Sequence, residues 1–360
     1  MNTNGSTNGS TNGPTNAPPT NGARKPAPPK PAPITAGAPS QRSFLAEVKT
    51  GKLEQPLRVV VHGPQGVGKT TLAAGAPEPI FIGAEDGSAA LDVARFPQPS
   101  SLDDVIAMVH ELVRTPTPYQ TVVIDSLDWL EPMVWQHVCE AANSPRIKAI
   151  EDFGYGKGYV AALDEWRRLL IALDQLRAAR RMHVVMIAHT AQKKTKNPAG
   201  DDWDRFAMKL NEKAAGLVSE WADDVLFAQF EFFTERTRES RDGKEYQAKG
   251  VSTGRRLLYT TWNAAYDAKN RHGLPESIEL SWPAFYELAT AQTNEERAIV
   301  LADIDGLLPR VAPDVAAKAS AERTAPLQRL RAIAARLREL ASAPAAPAAA
   351  TAPDTTTAGA

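Results

Sequence analysis

The stretch from Arg58 to Ala74, RVVVHGPQGVGKTTLAA, constrains the fold more than any other part of the chain. The β-branched run Val59–Val61 is typical of a buried strand. Residues 63–70 fit the pattern G-x-x-x-x-G-K-[ST] at every fixed position, and a helix is expected to begin at once after them. This strand–loop–helix order predicts a phosphate-binding P-loop.

The residue types of the loop fit phosphate chemistry. Glycines let the backbone approach phosphate oxygens closely, and the helix N-terminus adds partial positive charge. We expect Lys69 to reach the β- and γ-phosphates of a nucleoside triphosphate, and the Thr70 hydroxyl to ligate Mg²⁺. The chain is therefore predicted to bind ATP and Mg²⁺. The expected nucleotide contacts are Gly63, Pro64, Gln65, Gly66, Val67, Gly68, Lys69, Thr70 and Thr71.

Composition narrows the class of protein. The net charge of −1 argues neither for nor against binding of nucleic acid, so any basic surface must be local. The single cysteine, Cys139, cannot form an internal disulfide, which suits a reducing cytoplasm. No apolar run approaches the roughly 18 residues of a membrane span, and no apolar signal segment stands at the N-terminus. We expect a cytoplasmic protein, in the host cytoplasm if a phage encodes it.

Low-complexity segments flank the part expected to fold. Residues 1–43 are rich in Asn, Gly, Ser, Thr and Pro, and residues 341–360 in Ala, Pro and Thr. Neither segment can bury a core, so both are predicted to be disordered tails. Between them we expect an ATPase domain over 44–290 and a C-terminal helical extension over 291–340.

Strand and helix patterns alternate after the P-loop. Pro79–Gly83 reads as a second strand, and Ser101 with Asp104 forms the capping box of a helix. Thr121–Asp125 reads as a buried strand that ends in an acid, where a Walker B aspartate would ligate Mg²⁺. Another strand, Val184–Ala188, ends at His189.

Irregular sequence and then a run of strands complete the folded part. Residues 143–158 and 190–206 are read as loops, and strands follow from Asp224 onward, with a turn signal at Arg241–Lys244. The expected fold is α/β, with a mostly parallel sheet, antiparallel strands added at one side, and flanking helices.

With these motifs in this order, residues 56–290 resemble the RecA/RadA-type recombinase superfamily. The likeness is greatest to the small phage nucleotide-binding ATPases (AAA/RecA-like) that act as recombinases or single-strand-annealing proteins. The resemblance implies a RecA-like P-loop NTPase core. It also implies that Glu85 polarises the attacking water, with Asp86 as the alternative, that Asp125 is the Walker B acid, and that His189 senses the γ-phosphate.

The resemblance further implies two DNA-binding loops and a pair of cations that act on a neighbouring subunit. The segment Lys269-Asn270-Arg271 matches the place of the cations that reach the neighbour's γ-phosphate in recombinase filaments. Cations and aromatic rings in the two loops suit single-stranded DNA. The residues implied in DNA binding are Lys148, Phe153, Tyr155 and Lys157 in the first loop, and Lys193, Lys194 and Lys196 in the second.

The function expected from these features is that of an ATP-hydrolysing, single-stranded-DNA-binding recombination or annealing protein. The implied partners are single-stranded DNA, further copies of the chain in a head-to-tail ring or filament, and a single-strand-binding protein, with no membrane. One alternative is a P-loop ATPase that acts as a motor or switch on protein partners, in DNA packaging or in a helicase-like role. Another is a regulatory nucleotide-binding module with negligible turnover.

Overall fold

The computed structural model describes residues 48, 51–85, 90–238 and 246–342. The chain divides into two units, Met1–Gly51 and Lys52–Ala360, and the description below concerns the second. The predicted tails, 1–43 and 341–360, lie outside the described residues except for the last two residues of the final helix. The predicted domain limits stay predictions.

The described residues form a nine-stranded sheet with helices on both faces. The strands are β1 (Arg58–Gly63), β2 (Pro79–Gly83), β3 (Ala94–Arg95), β4 (Thr121–Asp125), β5 (His183–Thr195), β6 (Trp203–Met208), β7 (Asp224–Arg238), β8 (Tyr246–Tyr259) and β9 (Ser277–Glu279). The α-helices are α1 (Lys69–Ala74), α2 (Leu102–Arg114), α3 (Leu127–Ala141), α4 (Lys157–Arg180), α5 (Glu212–Trp221), α6 (Trp282–Leu307), α7 (Pro313–Ala321) and α8 (Leu327–Ser342).

The strand order is β3-β2-β4-β5-β1-β7-β8-β9, and β6 pairs with β5 outside this path. In this order, the six strands β3, β2, β4, β5, β1 and β7 pair in parallel, whereas β8 and β9 join antiparallel at one side. The predicted fold class, a mostly parallel sheet with antiparallel strands added at one side and helices around it, is confirmed. Because the parallel strands share one direction, the carboxyl ends of β1, β2, β4 and β5 meet at one edge of the sheet.

Alternation along the central strands builds two cores, one on each face of the sheet. On β1, Val60 packs into one core while Val59 and Val61 pack into the other, as the period of two in a strand requires. The first core is covered by α2, α3, α4 and α5, and its largest side chain is the fully buried Trp166 of α4. The second core is covered by α1 and by the first half of α6. Burial on both faces holds the strand ends in fixed positions.

Local capping starts the helices where the sequence predicts. The Ser101 side chain accepts a hydrogen bond from the Asp104 backbone N–H, and the Asp104 carboxylate accepts from the Ser101 backbone N–H. This capping box places the start of α2 at Leu102. The Asn211 side chain accepts a hydrogen bond from the Lys213 backbone N–H and caps α5 in the same way.

The prediction of a loop over 190–206 was wrong. β5 continues past His189 to Thr195, and β6 returns from Trp203, with Gln192 opposite Phe206 and Thr195 opposite Trp203. Both faces of this hairpin carry polar side chains, so the alternation of apolar and polar residues that marks a half-buried strand is missing. We call residues 190–208 the β5–β6 hairpin.

The C-terminal helices extend the fold away from the sheet. The first half of α6 packs on the sheet through Trp282, Phe285 and Ala289, and its second half packs through Ile304 and Leu307 on α7 and α8. None of the helices in the described part of the chain is long and apolar enough to cross a membrane.

Candidate functional site

The carboxyl ends of the parallel strands enclose a cleft of about 370 Å³. The P-loop forms one wall of this cleft, and residues from the ends of β2, β4 and β5 form the rest. The structure therefore brings together groups that the sequence predicts to act on one nucleotide. The cleft is lined by Gln65, Gly66, Gly68, Lys69, Thr70, Thr71, Glu85, Ala90, Leu91, Asp125 and His189.

The P-loop backbone takes a conformation that depends on glycine. Gly66 and Gly68 have φ angles of 77° and 106°, in the left-handed region that a side chain disfavours. Lys69 is almost fully buried, and its ammonium donates hydrogen bonds to the carbonyls of Gly63 and Pro64, both at 3.0 Å. Burial lowers the pKa of Lys69, although Asp125, Asp128 and Glu85 act in the opposite direction. The ammonium thus lies against the loop that it is expected to complete around phosphates.

Thr70 and Asp125 form a pair suited to a divalent cation. The Thr70 hydroxyl donates a hydrogen bond of 2.8 Å to Oδ2 of Asp125, which is buried at the end of β4. Burial raises the pKa of Asp125, while the bond from Thr70 and the charge of Lys69 oppose that shift. A hydroxyl and a carboxylate are oxygen ligands of the kind that Mg²⁺ prefers, with phosphate oxygens completing the shell. The two predicted metal ligands fit the group.

Glu85 follows β2 and is held next to the end of β4. Its backbone N–H and that of Ala84 donate to the carbonyl of Asp125, at 3.4 Å and 2.8 Å. Partial burial raises the pKa of the Glu85 carboxyl, and Asp125 and Asp128 raise it further. A carboxylate with a raised pKa at this place is a better proton acceptor. Asp86, the alternative, lies outside the described residues.

His189 is fixed by an acid that the sequence analysis missed. Asp128, in the first turn of α3, accepts hydrogen bonds from the backbone N–H of His189 at 2.9 Å and from its ring Nδ1 at 2.9 Å. Burial acts to raise the pKa of Asp128, but the two bonds from His189 lower it to about 2. The carboxylate therefore holds the ring with Nδ1 protonated and Nε2 available to the cleft. An acid three residues after the Walker B position, at the start of the next helix, was the available signal.

A second histidine joins the P-loop strand to the β5–β6 hairpin. His62, fully buried, donates through Nε2 to the carbonyl of Asp267 at 2.7 Å and accepts at Nδ1 from the Thr190 hydroxyl at 2.9 Å. Burial lowers its pKa to about 4, so the ring is neutral at pH 7. His62, which precedes Gly63 of the P-loop, is thereby bonded to Thr190, which follows His189. Sequence reasoning missed His62, because its role depends on a contact across the sheet.

Arg256 is a further cation near the P-loop that sequence reasoning did not find. Its guanidinium Nη1 lies 3.5 Å from the carbonyl of Val67, and a Cβ added at Gly68 would lie 2.8 Å from the same nitrogen. Gly68 is thus required by its φ angle, whereas the exposed Arg256 side chain could move aside from a Cβ. Arg256 comes from β8, far along the chain from the P-loop, so no local motif could reveal it.

The residues predicted to bind DNA lie outside the cleft, in two adjoining segments. Residues 144–156 form turns and a 3-10 helix over Ile150–Phe153, where the Tyr155 side chain is fully exposed and Phe153 packs against the core. Lys157 begins α4 and is exposed. The backbone N–H of Lys148 donates to Asp152 at 2.8 Å, which fixes the start of this segment.

The three hairpin lysines differ in exposure. Lys194 is exposed on one face of β5, and its ammonium lies 3.8 Å from Asp202, while Lys196, which follows the end of β5, is also exposed. Lys193 points to the other face, where its half-buried ammonium donates to the carbonyl of Leu210 at 2.6 Å.

Lys269 and Arg271 do not line the cleft. Lys269 donates to the carbonyls of Ser219, Glu220 and Ala222 at the end of α5, at 2.7–3.0 Å. Arg271 lies 3.3 Å from Asp223, near the amino end of β7. Within one chain these cations satisfy the end of a helix, and their predicted action on a neighbouring subunit stays a prediction.

Comparison with known proteins settles the family. The model of a family described as an AAA domain matches residues 55–272, more than half of the chain. The chain belongs to this AAA domain family. One relative of the domain is the SPbeta prophage-derived uncharacterized protein YorG of Bacillus subtilis (strain 168), which is 27% identical over 168 residues. The matched part is 45% of this chain and 48% of YorG, so the chain spans about half the length of that curated relative.

A solved structure similar to this AAA domain protein is that of the RadB recombinase. It is 15% identical with a TM-score of 0.33, and the match covers 63% of this chain and 87% of that one. The family match confirms the predicted AAA-type nucleotide-binding domain, and the curated relative YorG is derived from a prophage. The matched range, 55–272, contains the P-loop, Glu85, Asp125 and both segments predicted to bind DNA.

Proposed function

We propose that this AAA domain protein binds and hydrolyses ATP with Mg²⁺, and that nucleotide state controls its grip on single-stranded DNA in recombination or annealing. The observation that carries the proposal is the Asp128–His189 pair. It stands at the cleft and at the root of the β5–β6 hairpin at once, because β5 runs without interruption from His189 into the hairpin.

The proposed ATP hydrolysis rests on the residues of the cleft. Lys69 and the P-loop N–H groups would hold the phosphates, and Thr70 with Asp125 would hold Mg²⁺, which neutralises phosphate charge when bound. Glu85 would orient the attacking water and accept its proton. These are the groups that phosphoryl transfer needs for positioning and for electrostatic stabilisation.

The proposed coupling between nucleotide and DNA rests on hydrogen bonds that reach the hairpin from the cleft. With Nδ1 donating to Asp128, the His189 ring would bond a γ-phosphate oxygen through Nε2 only when both nitrogens carry a proton, a form that the two flanking anions would stabilise. A contact there would shift the ring, its backbone N–H and the adjoining Thr190, whose hydroxyl is bonded to His62. Loss of the γ-phosphate would release the contact. A switch of this kind moves a segment by gaining or losing a single anion.

The proposed DNA binding rests on an aromatic cleft of about 340 Å³ beside the hairpin. The Trp135 and Tyr159 rings meet edge to face there, with centroids 5.6 Å apart, and both are partly exposed. Lys193 and Lys209 come from the hairpin side, and the Lys209 ammonium lies 4.0 Å from Asp128. Aromatic rings beside cations suit stacking of unpaired bases in a sequence-tolerant manner. A base in this cleft would lie next to the residues that sense the nucleotide.

Assembly and partners belong to the same proposal. Lys269 and Arg271, at the amino edge of the sheet, would act on the nucleotide of a neighbouring copy in a head-to-tail ring or filament, as an arginine finger does. Displacement of a single-strand-binding protein from DNA would give that protein a place as a partner.

The experiment that tests the proposal is the ATPase rate of the full chain measured against added oligothymidylate, with particle size followed in parallel. We expect turnover to rise with the oligonucleotide and larger particles to form when ATP is present. The matched control is duplex DNA of the same length, which should stimulate less because its bases are stacked inside. An ATPase rate that neither oligothymidylate nor duplex DNA changes would overturn the proposed DNA binding and favour a switch that acts on protein partners.

A further inference from the structure

A second cavity, of about 560 Å³, lies at the amino ends of β1, β5 and β7, on the edge of the sheet opposite the nucleotide cleft. Residues 52–57, the end of α4 and the first half of α6 form its walls. We call it the arginine cavity. The residues that decide its chemistry are Glu54, Arg177, Arg181, His183, Asp223 and Arg271.

The two carboxylates of the arginine cavity are already engaged. Oδ2 of Asp223 accepts from the backbone N–H and Nε of Arg58, both at 3.2 Å, while Oδ1 accepts from Arg58 at 2.8 Å and from Arg271 at 3.3 Å. Oε2 of Glu54 accepts from Arg297 at 3.2 Å and from the backbone N–H of Leu327 at 2.6 Å. Little acceptor capacity remains for the other basic groups.

Two further arginines, Arg177 and Arg181, complete the basic side of the cavity. Arg181 donates to the backbone carbonyl of Glu54 at 3.1 Å, and its side chain is exposed. Arg177 donates through Nε to the carbonyl of Pro56, and its Nη2 lies 3.6 Å from Asp223, beyond hydrogen-bond distance. Asp223 is thus shared by Arg58, Arg177 and Arg271, and the ion pairs of the described residues give Arg181 no carboxylate partner, so positive charge exceeds negative charge here.

His183 adds a neutral donor to the same wall. Its Nδ1 accepts the backbone N–H of Leu57 at 2.9 Å, so the ring proton sits on Nε2. Burial, reinforced by the charges of Arg181 and Arg177, lowers its pKa to about 4. Burial and the nearby Arg58 likewise lower the pKa of Arg177. Burial is the largest cause of both shifts, and Asp223 and Asp174 act to raise the pKa of Arg177.

We propose that the arginine cavity binds a small phosphorylated anion of the phosphate or diphosphate class, at a site separate from the nucleotide cleft. A guanidinium presents a fork of N–H donors that matches two phosphate oxygens, and a neutral imidazole N–H can supply a third contact. Arg177, Arg181 and Arg271 are the charged contacts of this site, and His183 is the neutral one. The volume admits a diphosphate with part of the group that carries it.

The test uses inorganic pyrophosphate as the probe and isothermal titration calorimetry of the full chain carrying Lys69→Ala, which disables the P-loop. We expect this chain to bind pyrophosphate, and the added change Arg181→Ala to weaken binding by about tenfold or more, as loss of a charge-assisted hydrogen bond does. Arg167→Ala is the matched control, because Arg167 lies on the same helix but is paired with Asp164. It should leave the affinity unchanged.

Two results would overturn the proposal. One is the absence of pyrophosphate binding in the Lys69→Ala chain, or equal binding with and without Arg181. The other is an effect of Arg181→Ala on oligothymidylate binding with none on pyrophosphate, which would make the cavity a nucleic-acid contact. Arg181→Lys, which keeps the charge but removes the fork, should give an intermediate loss, and equal thermal midpoints without pyrophosphate would show that each variant is folded.

Discussion

The two edges of the parallel sheet carry opposite chemistry on the same strands. At the carboxyl edge, Glu85, Asp125 and Asp128 surround the single ammonium of Lys69, an arrangement that awaits a cation and phosphates together. At the amino edge, three arginines surround Asp223, an arrangement that suits a bound anion. The two proposed sites on this sheet therefore differ in the sign of the excess charge around them.

The two edges also differ in which segments of the chain they contact. The carboxyl edge continues into the β5–β6 hairpin through His189 and Thr190, so a ligand there can alter a distant segment. The amino edge is closed by residues 52–57 and by α6, which packs on the core. We therefore expect a ligand at the carboxyl edge to act on the hairpin. A ligand at the amino edge should act on stability and, through Arg271, on the contact proposed with a neighbouring copy.

The largest expected effect is that of Lys69→Ala. Removing the ammonium that would hold the β- and γ-phosphates should weaken ATP binding by about a hundredfold or more, since several charge-assisted bonds are lost. Fluorescent-nucleotide titration measures this loss. Pyrophosphate binding at the amino edge should persist in the same variant, and retained tight ATP binding would refute the P-loop assignment.

Glu85→Gln should separate binding from turnover at the carboxyl edge. The amide keeps the size of the side chain but accepts protons poorly, so we expect ATP affinity within a few-fold of the parent and a turnover lower by about 10²–10⁴-fold. Single-turnover phosphate release measures the rate. Unchanged turnover would transfer the role to Asp86, for which Asp86→Asn is the matched variant.

Buried histidines at both edges should make the fold sensitive to acid. The pKa of His62 at the carboxyl edge and of His183 at the amino edge is lowered to about 4, from an ordinary value near 6.5. Between these values the unfolded chain binds more protons, so stability is complete above pH 6.5 and falls as the pH drops toward 4, by roughly 3 kcal/mol per histidine. Urea unfolding at pH 7 and at pH 4.5 measures this fall.

Replacing either histidine should flatten that dependence. His62→Gln and His183→Gln each remove one titrating group, so each variant should lose less stability between the two pH values than the parent does. The comparison uses the change with pH and not the absolute stability, which the substitutions themselves alter. An undiminished pH dependence in both variants would show that other groups cause it.

A smaller effect is expected at the aromatic cleft. Trp135→Ala should weaken oligothymidylate binding by about tenfold, because stacking on an aromatic ring contributes about 1–3 kcal/mol per base. Trp129→Ala is the control, since Trp129 is exposed on the same helix but does not line the cleft. Fluorescence anisotropy measures both. Equal losses in the two variants would exclude a specific stacking site at Trp135.

The carboxyl edge could be predicted from the sequence because its signals are local. The P-loop, Asp125 at the end of β4 and His189 after the apolar run of β5 are each marked by a few neighbouring residues, and parallel pairing brings these positions together. Asp128 was within reach of the same reasoning, as an acid in the first turn of the helix after β4. The fold class followed from the alternation of strands and helices.

The amino edge could not be predicted in this way. Arg177, Asp223 and Arg271 are far apart in the sequence and share no motif, so only the assembled sheet shows that they meet. His62 was missed for the same reason, because its partners are Thr190 and Asp267. The β5–β6 hairpin was read as a loop because its strands are polar on both faces.

The central claim is that the nucleotide is sensed by His189 and Asp128 and reported to the DNA-binding segments. The most direct measurement is the ratio of oligothymidylate affinities with ATP and without nucleotide, in the parent and in Asp128→Asn. We predict a ratio of about ten or more in the parent, and a ratio near one in Asp128→Asn with ATP binding retained, because the amide no longer holds the His189 ring as a charged acceptor. An unchanged ratio in Asp128→Asn would contradict the account.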